Sequence, residues 1–474
     1  MARLWLGARE IDARTPAGRN RYADALRLLA IAVVVYGHWL ISVVTIEDGR
    51  LDGVSLLAVE PATQLLTWVF QVMPLFFFVG GYANAAAYLA AVRRGVGWAD
   101  WVRGRARRLL RPAVPLVALW VPLGGALAAI GVPRDLVQFA TTLVVVPVWF
   151  LAAYLVVCTL VPITHGWHRR RPLGALLTLV GLALVVDLAH QAGVPLVGWS
   201  NFLWVWGAIH QAGYLWHDAD RAASGATDAP RLLPSTPTGA LTLALAGYAA
   251  LLALTTLAGY PASMVGVDEA TRSNNSPPSV ALLALAAGQV GLSLAARGPA
   301  ERLLARPRVW ATVVVAGSSV MTVFLWHMTA MVVIAAALVP LGVWPDTVRI
   351  DATWWLLRLP WLAACTVVLV GLLALFRGFE VSGPPRTRPS VVRATLGVAL
   401  ATGGLGLLVF GGLHRPGTVT GVPWVPLGAT VVGLGALGAL RAPRRPERLP
   451  APGGAAEPAE IVPPESSQAT TAEP

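Results

Sequence analysis

The sequence contains no lysine and few charged residues of either sign. Charged side chains make up 13% of the 474 residues, whereas hydrophobic residues make up 56%. This composition excludes a string of soluble domains, and the repeated apolar runs of about 20 residues predict a polytopic membrane protein. The only two cysteines, Cys158 and Cys365, lie inside apolar runs. We interpret them as small buried hydrophobic residues, with neither a disulfide nor a metal site.

Lysine is absent, so arginine carries the positive charge of this chain, whose formal net charge is +12. The arginines cluster between apolar runs, which is a topological pattern and does not indicate nucleic-acid binding. The arginine-rich segments are 91–111, 166–172, 297–309, 377–393 and the stretch after 440. The alternate segments are neutral or acidic. The exception is segment 218–237, which is rich in aspartate but has little net charge. This alternation predicts an even number of spans in a plasma membrane, with both termini in the cytoplasm.

The predicted fold class is all-α, a polytopic transmembrane helical bundle of about 12 spans. The predicted spans are 23–45, 62–90, 112–132, 148–165, 173–190, 199–217, 238–259, 279–297, 310–340, 354–376, 394–413 and 423–440. Residues 1–20 are polar and rich in arginine, and we interpret them as a cytoplasmic tail. The Pro-, Ala- and Glu-rich residues 446–474 are interpreted as a disordered cytoplasmic tail.

The first predicted span carries three ionisable residues, Asp24, Arg27 and His38. Arginine or aspartate at the centre of a membrane helix costs about 2.5–3.5 kcal/mol, so such residues are candidates for function. Arg27 and His38 are eleven residues apart. At about 100° and 1.5 Å per residue they lie within about 20° of one helix face and about 16 Å apart along the axis. Asp24 falls about 40° to the other side of His38. The three side chains therefore form one stripe, as expected for the wall of an internal cavity.

His38 is the strongest candidate for chemistry on this stripe. Imidazole can accept a proton near neutral pH, so His38 could act as a general base or a nucleophile; the alternative is a structural hydrogen bond to a neighbouring helix. His327 in the ninth span lies at a similar depth, so the two histidines could share a site. His210 and Gln211 in the sixth span could line the same cavity, although helix packing explains them equally well.

The segment 103–115, RGRARRLLRPAVP, leads directly into the third span. Arg108 and Arg111 are three residues apart and would share a helix face. Arginine is suited to bidentate phosphate binding, which favours an anion site. The alternative is an anchor that meets anionic lipid headgroups.

With these motifs the chain resembles the acyltransferase 3 family of integral membrane acyltransferases. The matching residues are Asp24, Arg27 and His38 in the first span; Phe76, Phe77, Phe78, Gly80 and Gly81 in the second; Arg108, Arg111 and Pro112 before the third; Trp149, Phe150 and Leu151 in the fourth; and Leu325 and His327 in the ninth. Phe324 stands where the family usually has tyrosine. The resemblance covers about residues 20–376, which hold ten spans. Residues 377–445 would then be two additional C-terminal helices.

The resemblance implies transfer of an acyl group, usually acetyl from acetyl-CoA, to a hydroxyl group of a glycan, lipid or secondary metabolite. The residues and the resemblance together predict a site in three parts. Its expected members are Asp24, Arg27, His38 and His327 for catalysis, Arg105, Arg107, Arg108 and Arg111 for the phosphates of acyl-CoA, and Trp149, His210 and Gln211 for the substrate cavity. The expected partners are acyl-CoA, the acceptor and membrane lipids, without a metal or nucleic acid.

A transporter or flippase for a polar or acylated substrate is the alternative function. Twelve spans with intramembrane charges are compatible with it. Many transporters, however, consist of two repeated halves, and the sequence shows no such repeat. The acyltransferase is therefore the favoured prediction.

Overall fold

The structure is a computed structural model that describes residues 2–16, 18–47, 50–267, 272–338, 341, 350–380, 390–415, 417–418 and 420–440. The chain is 79% helical with almost no strands, which confirms the predicted all-α class. The predicted tail 446–474 lies outside the described residues.

The helices pack as a bundle, and one antiparallel hairpin follows the second helix. The helices are α1 (Ala2–Ala13), α2 (Arg21–Ile41), α3 (Leu56–Val59), α4 (Thr67–Phe70), α5 (Met73–Arg93), α6 (Trp98–Leu110), α7 (Val114–Ala129), α8 (Arg134–Val145), α9 (Val148–Arg170), α10 (Pro172–Gln191), α11 (Asn201–Ala223), α12 (Pro237–Leu257), α13 (Ala281–Leu304), α14 (Pro307–Gly317), α15 (Val320–Leu338), α16 (Ala352–Phe376), α17 (Val391–Gly411) and α18 (Trp424–Ala436). The hairpin strands are β1 (Ser42–Glu47) and β2 (Arg50–Ser55). Short 3₁₀ helices cover Pro61–Leu66, Arg111–Ala113, Val197–Ser200 and Arg377–Glu380.

Ten helical stretches of the described residues are long and apolar enough to cross a membrane, which confirms the prediction of a multi-pass helical bundle. They correspond to ten of the twelve predicted spans. Of the other two, α11 has 23 residues but buries several polar side chains, which lower its hydropathy. Helix α18 has 13 residues, or about 20 Å, which is shorter than a hydrocarbon core of roughly 30 Å.

Several element boundaries differ from the prediction. The expected span 310–340 is divided into α14 and α15, because Ser318 ends the first helix and its hydroxyl donates to the Val315 carbonyl (2.6 Å). Residues 42–45 belong to β1 instead of the first span, consistent with the β-branched run that begins at Val43. Helix α8 forms within residues that the prediction left between two spans.

Indole hydrogen bonds join α2, α15 and α16 at the level of His38. Trp39 of α2 donates from Nε1 to the carbonyl oxygen of His327 in α15 (2.9 Å). Trp361 of α16 donates from Nε1 to the Trp39 carbonyl (3.0 Å). Both indoles are buried, so the donors would be costly to leave unpaired. These bonds fix the axial positions of the three helices against one another.

The glycines of the second predicted span allow α5 to approach its neighbours closely. A Cβ atom on Gly81 would collide with the carbonyl oxygen of His210, and one on Gly213 would collide with the Phe78 carbonyl. A Cβ on Gly80 would lie 2.6 Å from the hydroxyl oxygen of Tyr154. Small residues at such crossings bring the backbones of membrane helices into contact. The Gly80–Gly81 pair therefore has a packing role between α5, α9 and α11.

Candidate active site

The structure brings His38 and His327 into direct contact. Nδ1 of His38 lies 2.8 Å from Nε2 of His327. The two rings are nearly parallel, with an interplanar angle of 8° and centroids 5.1 Å apart. The sequence predicts similar depths for these two residues, which lie in spans far apart along the chain. The structure places their side chains next to each other.

The second nitrogen of His327 sets the direction of this hydrogen bond. Its Nδ1 lies 2.6 Å from the carbonyl oxygen of Phe324, and a carbonyl can only accept. Nδ1 of His327 therefore carries the hydrogen. A fully buried imidazolium with no carboxylate partner among the described residues would be very costly, so His327 is neutral and its Nε2 accepts. His38 consequently donates from Nδ1, and its Nε2 carries a lone pair.

His38 lines a largely apolar cavity of about 570 Å³. Its wall includes Trp149, where the sequence predicts a substrate-cavity residue, and also Phe150 and Phe324. The polar side chains on the wall, besides the imidazole, are Tyr36, Thr63, Thr67, Gln71 and Asn275. His327 is buried behind His38 and does not line this space. We call this space the His38 cavity.

A second cavity, of about 800 Å³, lies around the N-terminal end of α2 and is lined by charged and polar residues together with apolar ones. Its lining includes Arg19, Asp24, Arg27, Asn84, Arg105, Arg108, Tyr154 and Glu380. It shares several of these residues with an adjoining open cavity of about 1220 Å³. We call this connected space the arginine cavity.

The ionic contacts in the arginine cavity leave some arginines available. Asp24 accepts from Arg19 (2.6 Å) and pairs with Arg27 (3.3 Å), so one carboxylate offsets part of two positive charges. Arg105 lies over the ring of Trp101 at 4.2 Å. Within the described part of the chain, Arg108 makes neither a hydrogen bond nor an ion pair. The cavity therefore presents cationic groups that an anion can bind.

The structure does not bring all four predicted phosphate-binding arginines to this cavity. Arg105 and Arg108 line it, whereas Arg107 and Arg111 do not. Helix α6 ends at Leu110, and Arg111 begins the 3₁₀ turn that contains Pro112, with only 2% of Arg111 exposed. Of the predicted pair, Arg108 therefore lines the cavity, whereas Arg111 lies in the interior.

Aromatic side chains separate the two cavities. Phe76 lines the arginine cavity, while Phe150 and Phe324 line the His38 cavity. The Phe76 and Phe150 rings meet edge to face at 4.6 Å, and Phe150 meets Phe324 in the same way at 5.4 Å. Along α2, Arg27 is the last residue on the arginine cavity and Ala32 the first on the His38 cavity, a distance of about 7.5 Å. We call Phe76, Phe150 and Phe324 the aromatic barrier.

His210 and Gln211 lie in a buried polar network and line neither cavity. Nδ2 of Asn84 donates to Nε2 of His210 (2.9 Å). Gln211 donates from Nε2 to Nδ1 of His168 (2.7 Å), whose Nε2 donates to Asp218 (2.8 Å). The network joins α5, α9 and α11, so the structure places these two residues in helix packing and not on the predicted substrate cavity.

The sequence analysis missed several polar lining residues of the arginine cavity, among them Arg19, Asn84, Tyr154 and Glu380. Asn84 was detectable as a lone amide within an apolar span. Glu380 follows its span directly, and its Oε1 accepts from the Thr322 hydroxyl (2.6 Å), a contact that the sequence does not indicate. Among the described residues, no group of three or more His, Cys, Asp or Glu side chains could hold a metal ion.

The fold and this pair of cavities define a multi-pass helical membrane protein with a hydrogen-bonded histidine pair. The sequence model of the acyltransferase 3 family, described as an acyltransferase domain, matches residues 20–377, about three quarters of the chain. The chain therefore belongs to the acyltransferase 3 family and is a membrane acyltransferase, which needs an acyl donor and an acceptor. Comparisons with curated proteins and with solved structures gave no match.

Proposed function

We propose that this protein is a plasma-membrane O-acyltransferase that moves an acyl group, most simply acetyl, from acyl-CoA to a hydroxyl group on a glycan, lipid or secondary metabolite. The observation that supports this most directly is the histidine pair. His38 exposes an Nε2 lone pair to a cavity, and its other nitrogen is held by His327. An oriented neutral imidazole of this kind can remove a proton from a hydroxyl group.

Acyl-CoA is proposed to bind in the arginine cavity from the cytoplasmic side. The positive-inside distribution of the loop arginines supports that orientation, with both termini in the cytoplasm. Arg108, Arg105 and Arg27 would hold the phosphates. The axial distance from Arg27 to His38, about 16 Å, is comparable to an extended pantetheine arm, so the thioester can reach the imidazole.

The proposed reaction balances without a further reactant. Nε2 of His38 takes the proton of the acceptor hydroxyl, and the hydroxyl oxygen attacks the thioester carbonyl carbon. The new C–O bond forms, the C–S bond breaks, and the CoA sulfur leaves with the electron pair of that bond. His38 then returns the proton to this sulfur. His327 orients His38 through the 2.8 Å hydrogen bond and does not touch the reactants.

A covalent route uses the same atoms. Nε2 of His38 would attack the thioester carbonyl, CoA thiolate would leave, and the acyl group would then pass from the imidazole to the acceptor. Both routes require the acyl group to cross the aromatic barrier. Mass spectrometry of protein quenched with acetyl-CoA alone distinguishes them, because only the covalent route adds an acetyl group to the peptide that contains His38.

The test is acetyl transfer by the purified protein in lipid nanodiscs. His38→Ala is expected to lower the rate of acetyl transfer by about 10²–10⁴-fold, the usual contribution of general base catalysis, with acetyl-CoA binding retained. His190→Ala is the matched control, because His190 is exposed on α10 and lines neither cavity. Unchanged transfer by folded His38→Ala would contradict the proposal. If the wild-type protein neither hydrolyses acetyl-CoA nor exchanges acetyl groups, the transporter alternative would be favoured.

A further inference from the structure

The His38 cavity opens between large apolar side chains that are themselves exposed. Tyr36 of α2, Leu66 and Phe70 next to α5, and Trp355 of α16 all line the cavity, and each is between 41% and 56% exposed. Tyr36, Phe70 and Trp355 come from three different candidate membrane spans. The opening is therefore a gap between spans with an apolar edge.

An apolar edge of this kind fits contact with lipid better than contact with water. Large apolar side chains exposed to water cost about 25 cal/mol per Å² of apolar surface, a cost that is absent in a bilayer. Contiguous exposed apolar surface at the mouth of a cavity also marks a site that binds an apolar partner. A molecule in this opening would thus contact the protein and the acyl chains of the membrane together.

Polar groups are also present on the wall of the same cavity. His38, Gln71 and Asn275 are among its lining residues. Oδ1 of Asn275 is buried and has no hydrogen-bond partner among the described residues. A buried carbonyl oxygen without a donor is costly, and a hydroxyl group of a ligand would satisfy it. The cavity therefore combines groups that can bind hydroxyl groups with an apolar opening.

We infer that the acceptor is an amphiphilic alcohol that enters sideways from the bilayer. Its polar head group presents one hydroxyl to His38 and donates from another to Oδ1 of Asn275. Its apolar chain lies in the opening between Tyr36, Leu66, Phe70 and Trp355 and continues into the membrane. This inference rests on the proposed function and narrows its acceptor to a lipid-linked hydroxyl compound.

Gly37 offers a way to block the cavity without disturbing the packing. It lines the cavity beside His38, and a Cβ atom at this position would meet no heavy atom within 4 Å. Gly371 of α16 is the matched control, because its added Cβ would also meet nothing within 4 Å and it does not line the cavity. Gly37→Phe thus places a phenyl ring inside the cavity, and Gly371→Phe places the same ring outside it.

The test uses hexadecyl glucoside with a photoreactive diazirine on its alkyl chain, added to the full-length protein in nanodiscs. Irradiation followed by peptide mapping is expected to label α2, α4 or α16 at the cavity in the wild type and in Gly371→Phe. Filling the cavity in Gly37→Phe is expected to reduce this labelling by about tenfold, because the phenyl ring occupies the space that the alkyl chain of the probe needs. Unlabelled hexadecyl glucoside should compete, and methyl glucoside should not.

Three results would overturn the inference. Equal labelling of Gly37→Phe would show that the probe binds elsewhere on the lipid-facing surface. Equal competition by methyl glucoside would indicate a soluble acceptor. Competition by palmitoyl-CoA but not by hexadecyl glucoside would assign the cavity to the acyl chain of the donor. Acetyl-CoA turnover by the wild-type protein in the same nanodiscs tests the proposed function separately, because the labelling needs no catalysis.

Discussion

The ring of Phe150 meets the ring of Phe76 edge to face, at a centroid distance of 4.6 Å, and this contact lies between the arginine cavity and the His38 cavity. Donor and acceptor would approach it from opposite sides. A closed contact here keeps the water of the arginine cavity away from His38 until the thioester enters. Its removal should therefore change what happens to acyl-CoA when no acceptor is present.

Phe150→Ala is expected to raise the hydrolysis of acetyl-CoA relative to transfer, because water from the arginine cavity then reaches His38, which can activate it to attack the thioester. Replacing a buried phenylalanine by alanine also costs about 3–5 kcal/mol of stability, so Phe150→Leu is the milder second variant. Phe410→Ala, on the exposed face of α17, is the control. Release of free CoA without acceptor is the measurement, and an unchanged rate in folded Phe150→Leu would argue against a barrier.

His327 should act on the rate and leave donor binding unchanged. His327→Ala removes the acceptor for the Nδ1 hydrogen of His38, so the imidazole loses its fixed orientation. We expect kcat to fall by about 10²-fold or more, with the KM for acetyl-CoA unchanged. His327→Gln retains a carbonyl oxygen and should recover part of kcat. A rise in KM with unchanged kcat would place His327 in binding instead of positioning.

Arg108 and Arg107 are neighbours with different expected effects. Arg108 lines the arginine cavity and makes neither a hydrogen bond nor an ion pair among the described residues, whereas Arg107 does not line it. Arg108→Gln is expected to raise the dissociation constant for acetyl-CoA by about tenfold or more, the loss of one charge-assisted hydrogen bond of 1.5–3 kcal/mol. Arg107→Gln should bind nearly as the wild type does. Calorimetric titration of both variants decides this, and equal losses would refute the assignment.

The crossing of α5 and α11 should not tolerate a single methyl group. A Cβ on Gly81 would collide with the His210 carbonyl, so Gly81→Ala must separate the two helices. We expect a loss of about 1–3 kcal/mol and a lower unfolding temperature in detergent. Gly371→Ala adds the same methyl group in open space and should be neutral or slightly stabilising. Equal unfolding temperatures for the two variants would contradict the packing role.

The helical periodicity and the depth of a side chain along its span could be predicted from the sequence, whereas contacts between distant helices could not. Counting residues along α2 placed Arg27 and His38 on one stripe. In the structure Arg27 lines the arginine cavity and His38 lines the His38 cavity. Helical spacing also placed Arg111 beside Arg108, but Arg111 is buried in the structure, which depends on the elements that pack around it. Asn275 lies in a loop without a functional sequence pattern, and this loop contacts α4 through the hydrogen bond from the Met264 N–H to Oγ1 of Thr67 (2.9 Å).

The hydrogen bond from Nδ1 of His327 to the Phe324 carbonyl also limits where a proton can go. An amide carbonyl does not take up a proton under ordinary conditions, so the histidine pair is a closed end and not a conduction path. A proton removed by His38 must return to the reacting molecules, and no net charge then crosses the bilayer. Catalysis would then be independent of the membrane potential. The turnover rate in proteoliposomes should be the same with and without an imposed potassium diffusion potential.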